Sequence, residues 1–267
     1  MTVNNSNVRM LDSIIRIDNN IYLPISDMEI VYNIKISYIK DTNKVVIEEL
    51  DKGLIRATAV EDTNIKFKPR KLSKNIGTIL QGETVNCFYT TSKGWRQIRK
   101  EDGTVGYIKA NKLGDEYIVR QDMQKKGDAI KINKKDFEKR EFEITNNSEV
   151  KKVLIKNIYD ENVENNEKDT KIWRLITDEL LEEKNKKSLN DYKLRTELID
   201  YIVKDSIENN INGIVLDLKQ IENKEEILRL VIESTPKLRE VGISTCIVLN
   251  NNIEKKDFIN IVDYIVE

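Results

Sequence analysis

Residues 211 to 218 read Ile-Asn-Gly-Ile-Val-Leu-Asp-Leu, a nearly continuous apolar run. A strand with this pattern has no polar face to give to water, so it must be covered on both sides. The flanking sequence supplies the cover. Leu189 to Glu208 carries Leu194, Leu198, Ile199, Ile202 and Val203 at helical spacing. Lys224 to Glu240 does the same with Ile227, Leu228, Val231 and Ile232, and Gly242 follows as a stop signal. Further strand-like runs are Val153–Ile155, Ile172–Ile176, Ile243–Leu249 and Ile261–Val266, with a short helix over Glu254–Ile259. Buried strands alternating with amphipathic helices predict a parallel sheet over residues 151–267.

The chain before residue 151 follows other rules. Ser13–Ile17 and Ile21–Pro24 flank the turn residues Asp18-Asn19-Asn20 and predict a hairpin. Ser26 followed three residues later by Glu29 has capping-box spacing and predicts a short helix ending near Asn33. Lys35–Ile39 and Lys44–Glu48, joined by Asp41-Thr42-Asn43, predict a second hairpin. Short strand-like runs then recur between turn signals: Leu54–Val60, Gly77–Leu80, Thr84–Thr90, Trp95–Arg99 and Val105–Lys109. That spacing predicts a small all-β barrel. Residues 120–150 are polar and punctuated by Gly127, Asn133 and Asn146-Asn147. Within them Ala129–Ile132 and Arg140–Ile144 can add an edge strand to a neighbour, and the rest reads as a connector. The expected fold class is multidomain: a small α+β domain (1–52), a small all-β barrel (53–119), a polar connector (120–150) and an incomplete (β/α)-barrel-like domain with parallel strands (151–267).

Composition narrows the function classes. Lys and Arg number 45 against 46 Asp and Glu, so no basic excess points to nucleic acid. The chain has no histidine, which removes the commonest metal ligand and the commonest general base at neutral pH. Cys87 and Cys246 sit in apolar strand-like runs and read as buried free thiols. Neither a metal, a cofactor nor a disulfide is expected. No run approaches the ~18 apolar residues of a membrane helix, and Met1 to Arg9 carries no hydrophobic core of an export signal.

Three resemblances follow from these motifs. Tyr22-Leu23-Pro24 before the short helix, within the hairpin–helix–hairpin order, resembles the copper amine oxidase N-terminal-like domain; without histidine a copper site has little support. Ile65-Lys66-Phe67-Lys68-Pro69, Gly82-Glu83-Thr84-Val85, Gly94-Trp95, Gly103 and Gly106-Tyr107-Ile108 resemble the bacterial SH3-type domain found beside peptidoglycan hydrolases. That resemblance implies a peptide or cell-wall ligand and makes Tyr89, Trp95 and Tyr107 the candidates to contact it. Leu189–Arg195, Asn212-Gly213-Ile214 and Ile261–Ile265 resemble the bacterial spore and cell-wall branch of glycoside hydrolase family 18. The family's catalytic pattern is Asp-Gly-x-Asp-x-Asp-x-Glu, and the matching positions here are Asn212, Gly213, Val215, Asp217 and Lys219. Only Gly213 and Asp217 are kept. A lysine carries no carboxyl group to protonate a leaving oxygen, and loss of a general acid costs ~10²–10⁴ in rate. The block is also less than half of the ~250 residues that a (β/α)8 barrel takes, so the expected sheet is open, with four or five parallel strands.

These features imply a non-catalytic binding or scaffold protein of the cell wall or spore envelope. No catalytic residue is expected, with Asp217 and Lys219 as degenerate positions. The expected partners are a wall glycan or stem peptide, and another protein or a second copy. Two alternatives stand beside this reading. One is an active family 18-like glycosidase acting on an N-acetylglucosamine-containing wall polymer, which would need a glutamate such as Glu222, three residues past Lys219, beside Asp217. The other is an interaction subunit that oligomerises through open sheet edges.

Overall fold

The computed structural model describes residues 2–3, 6–7, 10, 12–91, 93–120, 129–146, 149–160, 170–183, 189–251 and 253–267. Gly127, Asn147 and the polar stretch between Asp160 and Thr170 lie outside the described residues. The chain divides into two units: Met1–Asn33 with Lys126–Glu267, and Ile34–Lys125.

The first unit begins with two small antiparallel pairs, β1 (Thr2–Val3) with β2 (Ser6–Asn7) and β3 (Ile15–Ile17) with β4 (Asn20–Tyr22). Helix α1 (Ile25–Tyr32) follows. The expected capping box does not form. The N-cap is Pro24, Ser26 lies inside the first turn, and no side chain caps the helix. Pro24 is extended (φ −62°, ψ 130°) and the helix begins at Ile25, so the start comes two residues earlier than the Ser-x-x-Glu spacing suggests.

The second unit is antiparallel throughout. A hairpin, β5 (Ile34–Ile39) and β6 (Lys44–Glu49), precedes a seven-stranded sheet. Its strands are β7 (Leu54–Ala59), β8 (Thr63–Lys66), β9 (Asn75–Ile79), β10 (Thr84–Thr90), β11 (Trp95–Arg99), β12 (Val105–Lys109) and β13 (Leu113–Arg120). They are ordered β13-β7-β10-β11-β12-β8-β9. Ala57, Ile65, Ile79, Val85, Ile98 and Ile108 form the core. β12 passes close to β8 at Gly106, where a Cβ would strike the Ile65 side chain and the Lys66 carbonyl. β8 and β13 were not legible as strands, because β8 offers only Ile65 to the core and β13 keeps a largely exposed face at the sheet's edge. The hairpin β5–β6 is tied to this sheet. Glu48 pairs with Arg99 and takes a 2.9 Å bond from Arg120, whose guanidinium also donates to the carbonyls of Lys52 and Glu49.

The first unit resumes with β14 (Ile130–Ile132), α2 (Lys134–Glu138), β15 (Glu141–Asn146), β16 (Glu149–Asn157), β17 (Thr170–Thr177) and α3 (Asp178–Glu183). Then come α4 (Tyr192–Glu208), β18 (Gly213–Asp217), α5 (Lys224–Glu240), β19 (Ser244–Val248), α6 (Lys255–Phe258) and β20 (Tyr264–Val266). The sheet runs β14-β20-β19-β18-β17-β16-β15, parallel except for β15. The chain is therefore built from several sheets, and the parallel strands expected of the C-terminal block are present. The two strand-like pieces within residues 120–150 supply both edge strands, β14 and β15, of this sheet. β15 is polar for a physical reason: Phe142 and Ile144 point inward while Glu141, Glu143 and Thr145 face water, as an edge strand requires.

One face of this sheet meets helices, with Ile214, Leu216 and Leu218 of the β18 segment against Leu198, Ile202, Ile227 and Val231. The other face closes on itself. Trp173 of β17 touches Phe142 of β15 at 5.6 Å between ring centroids and Tyr264 of β20 at 4.8 Å. β17 and β20 are three strand spacings apart in the order, roughly 14 Å in a flat sheet, so the rings meet only because the sheet curls. Gly213 makes the crossing feasible: a Cβ there would lie 2.6 Å from the Trp173 indole nitrogen. Among the described residues, no helix is long and apolar enough to cross a membrane.

Candidate functional site

β17 and β18 end side by side, with Thr177 opposite Asp217 in the parallel register. Asp217 follows Gly213 and Val215 on the curled face, so its carboxylate emerges at the C-terminal rim of the sheet. It is buried, with 8% of its surface exposed. One carboxylate oxygen lies 2.9 Å from Lys219 Nζ, and the other has no hydrogen-bond partner among the described residues. The Lys219 side chain is 68% exposed, so an ammonium held by Asp217 stands at the rim. The backbone beneath is fixed from two sides. Asp178, the first residue of α3, accepts from the amides of Lys219 and Gln220 at 2.8 and 3.1 Å, and Asn250 Nδ2 donates to the Leu218 carbonyl at 3.0 Å.

The other positions of the motif are far from this chemistry. Val215 is fully buried in the curled face. Asn212 precedes the first residue of β18, at the opposite end of the strand. Its amide donates to the Ile172 carbonyl and its side-chain oxygen accepts from the Ile172 amide at 3.1 Å, so it stitches two strands together. Glu222 is exposed on the loop before α5. Among the described residues the rim thus holds two buried carboxylates, Asp217 paired with the Lys219 ammonium and Asp178 engaged by the backbone amides of Lys219 and Gln220. Among the described residues, no group of three or more Cys, Asp or Glu is placed to hold a metal ion.

In the second unit the ladder register puts Trp95, Gln97, Lys109 and Tyr107 on one side of the β11–β12 pair, with Ile98 and Ile108 on the other. Tyr89 of β10 joins them. Its hydroxyl lies 2.8 Å from that of Tyr107, and the rings meet edge to face at 6.3 Å. The bond from Tyr89 holds the Tyr107 hydroxyl above its ordinary pKa. Tyr89 is 56% exposed, whereas Trp95 is nearly covered, with Lys109 Nζ 4.7 Å above its ring. The two tyrosines therefore form an accessible aromatic pair, and Trp95 lies beneath a lysine.

Sequence reasoning did not find Trp173 as the centre of the curled face, nor Asp178 as the anchor of the rim backbone. An indole opposite a glycine in neighbouring parallel strands is the signal for the first. For the second, an Asp directly after a buried strand was the available hint.

No protein-family model matches the chain, and no curated protein matches it. Among solved structures the chain is similar to one titled "Structure of NlpC1 from Trichomonas vaginalis", with 20% identity, 33% of this chain and 27% of that chain covered, and a TM-score of 0.22. The chain spans about a quarter of the length of that structure.

Proposed function

We propose that this chain is a non-catalytic binding or scaffold protein of the cell wall or spore envelope. In this reading its curled parallel sheet is a glycosidase-derived module related to glycoside hydrolase family 18, and its antiparallel sheet is an SH3-type wall-binding module. The observation that carries the reading is the Asp217–Lys219 pair at the sheet's C-terminal rim. The position that resembles the family's proton donor holds an ammonium, and the neighbouring carboxylate is engaged in neutralising it. Burial of Val215 supports the same conclusion, because no carboxylate remains there to orient a substrate's acetamido group. Binding falls to the exposed Tyr89 and its half-buried partner Tyr107, whose rings offer an apolar body and hydroxyls suited to a sugar or a stem peptide.

The test is an assay of the full chain on chitooligosaccharides and on purified peptidoglycan. No turnover is expected, with sedimentation on peptidoglycan that weakens about tenfold in a Tyr89→Ala, Tyr107→Ala variant. Turnover that disappears in Asp217→Ala would overturn the reading. Lys219→Glu is expected to leave the chain inactive, since one carboxyl does not replace the other missing groups.

A further inference from the structure

The loop joining β8 to β9 carries a feature that the wall-binding reading does not use. Over residues 66–74 the sequence is Lys-Phe-Lys-Pro-Arg-Lys-Leu-Ser-Lys, five cations in nine residues with no acid. The loop is internally braced. The Phe67 amide donates to the Lys74 carbonyl at 2.9 Å, the Ser73 amide to the Arg70 carbonyl at 3.1 Å, and the Lys68 amide to the buried Ser73 hydroxyl at 2.8 Å. Its cations point away from these bonds: Lys68, Arg70, Lys71 and Lys74 are exposed. Elsewhere in the unit cations find carboxylates, as in Arg96–Glu116, Arg99–Glu48, Lys100–Glu83, Lys112–Glu61 and Arg120–Glu48. Among the described residues none of the five loop cations does; Lys66 bonds only the amide oxygen of Asn75. Two large apolar side chains stand among them, Phe67 at 60% and Leu72 at 97% exposure. The charge of the unit reinforces the loop. Residues 34–125 hold eighteen Lys and Arg against twelve Asp and Glu, a net +6, while the rest of the chain nets −7.

We propose that this loop docks on an anionic lipid surface. The cations meet the headgroup phosphates, and Phe67 and Leu72 enter the headgroup–acyl boundary. Unpaired lysines attract any polyanion, but a nearly bare leucine gains nothing from a phosphate backbone and gains from a hydrocarbon boundary. The braced backbone lets the loop present both kinds of side chain without an ordering step.

The experiment is vesicle co-sedimentation of the full chain, with phosphatidylglycerol–phosphatidylcholine vesicles against pure phosphatidylcholine. Binding to the anionic vesicles alone is expected, weakening as salt rises from 0.1 to ~0.5 M. The variant Lys68→Gln, Arg70→Gln, Lys71→Gln, Lys74→Gln should lower the partition coefficient on the order of 10²–10³-fold. Phe67→Ser with Leu72→Ser should lower it about tenfold or more. Unchanged melting curves are expected for both variants, since all six side chains are outside the core. Absence of binding to anionic vesicles overturns the proposal, as does binding that the charge variant leaves intact. Loss with the charge variant but none with the apolar one also overturns it, and would assign the loop to a soluble polyanion.

Discussion

Gly213 admits two readings that a sequence cannot separate. As a motif residue it resembles a catalytic-strand glycine; in the folded chain it is the floor on which Trp173 lies. Gly213→Ala puts a methyl group against the indole on well-packed strands and is expected to cost about 1–3 kcal/mol in urea denaturation, with Gly213→Ala, Trp173→Phe recovering part of the loss. Tyr264, in contact with the same indole, gives the curled face a pH signature. Burial first, then the charge of Asp263, pushes its hydroxyl up to about 12. The folded state thus holds this proton more tightly than the unfolded chain, whose tyrosine titrates near 10. The stabilisation is complete below pH ~10 and is lost as pH rises through 12, an effect of about 2–3 kcal/mol. Ultraviolet titration at constant ionic strength should show one of the ten tyrosines ionising last and together with unfolding, and Tyr264→Phe should remove part of the alkaline loss.

At the scale of elements, helix starts distinguish spacing from geometry. Asp191 caps α4 by accepting from the Leu194 amide at 3.0 Å, and Asn223 caps α5 by accepting from the Glu225 amide at 3.1 Å. Ser26 caps nothing. Asp191→Ala and Asn223→Ala should each cost ~1 kcal/mol, while Ser26→Ala should stay within ~0.5, measured by thermal melts. The same contrast explains which elements were legible. β10, β11, β12 and α5 carry enough inward apolar residues to define their own period, and the expected ranges match the structure for all four. β8 and β13 draw their order from a neighbouring strand's hydrogen bonds, so their sequences look like loop, whereas β14 and β15 kept just enough apolar residues to be read as edge strands. The candidate site divides the same way. Asp217 and Lys219 were singled out because they fall on positions of a motif that the strand resembles, and Tyr89 and Tyr107 because the SH3-type resemblance implies an aromatic ligand surface. The hold of Asp178 on the rim spans forty-one residues and left no local trace.

At the scale of the whole molecule the unit boundaries fall at 33/34 and 125/126, whereas the sequence placed them at 52/53, 119/120 and 150/151. The second hairpin, β5–β6, accounts for the shift of the first boundary. In sequence it directly follows the preceding hairpin and helix, but its charges commit it to the antiparallel sheet through Glu48 with Arg99 and Arg120. Arg120 is buried at 3% exposure and depends on three acceptors from residues 48–52. A fragment of residues 34–125 keeps all seven strands, the core and these pairs, and is expected to fold cooperatively alone. A fragment of residues 53–125 keeps the same seven strands but strands two arginines without their carboxylate. Breaking a buried pair by removing one partner costs ~3–5 kcal/mol, so the shorter fragment should melt on the order of 10–20 °C lower. Equal stability of the two fragments would instead place the hairpin outside this unit. Glu48→Gln in the longer fragment separates the charge from the hairpin's bulk: it keeps the hairpin and removes only the shared carboxylate, and should reproduce at least half of the loss.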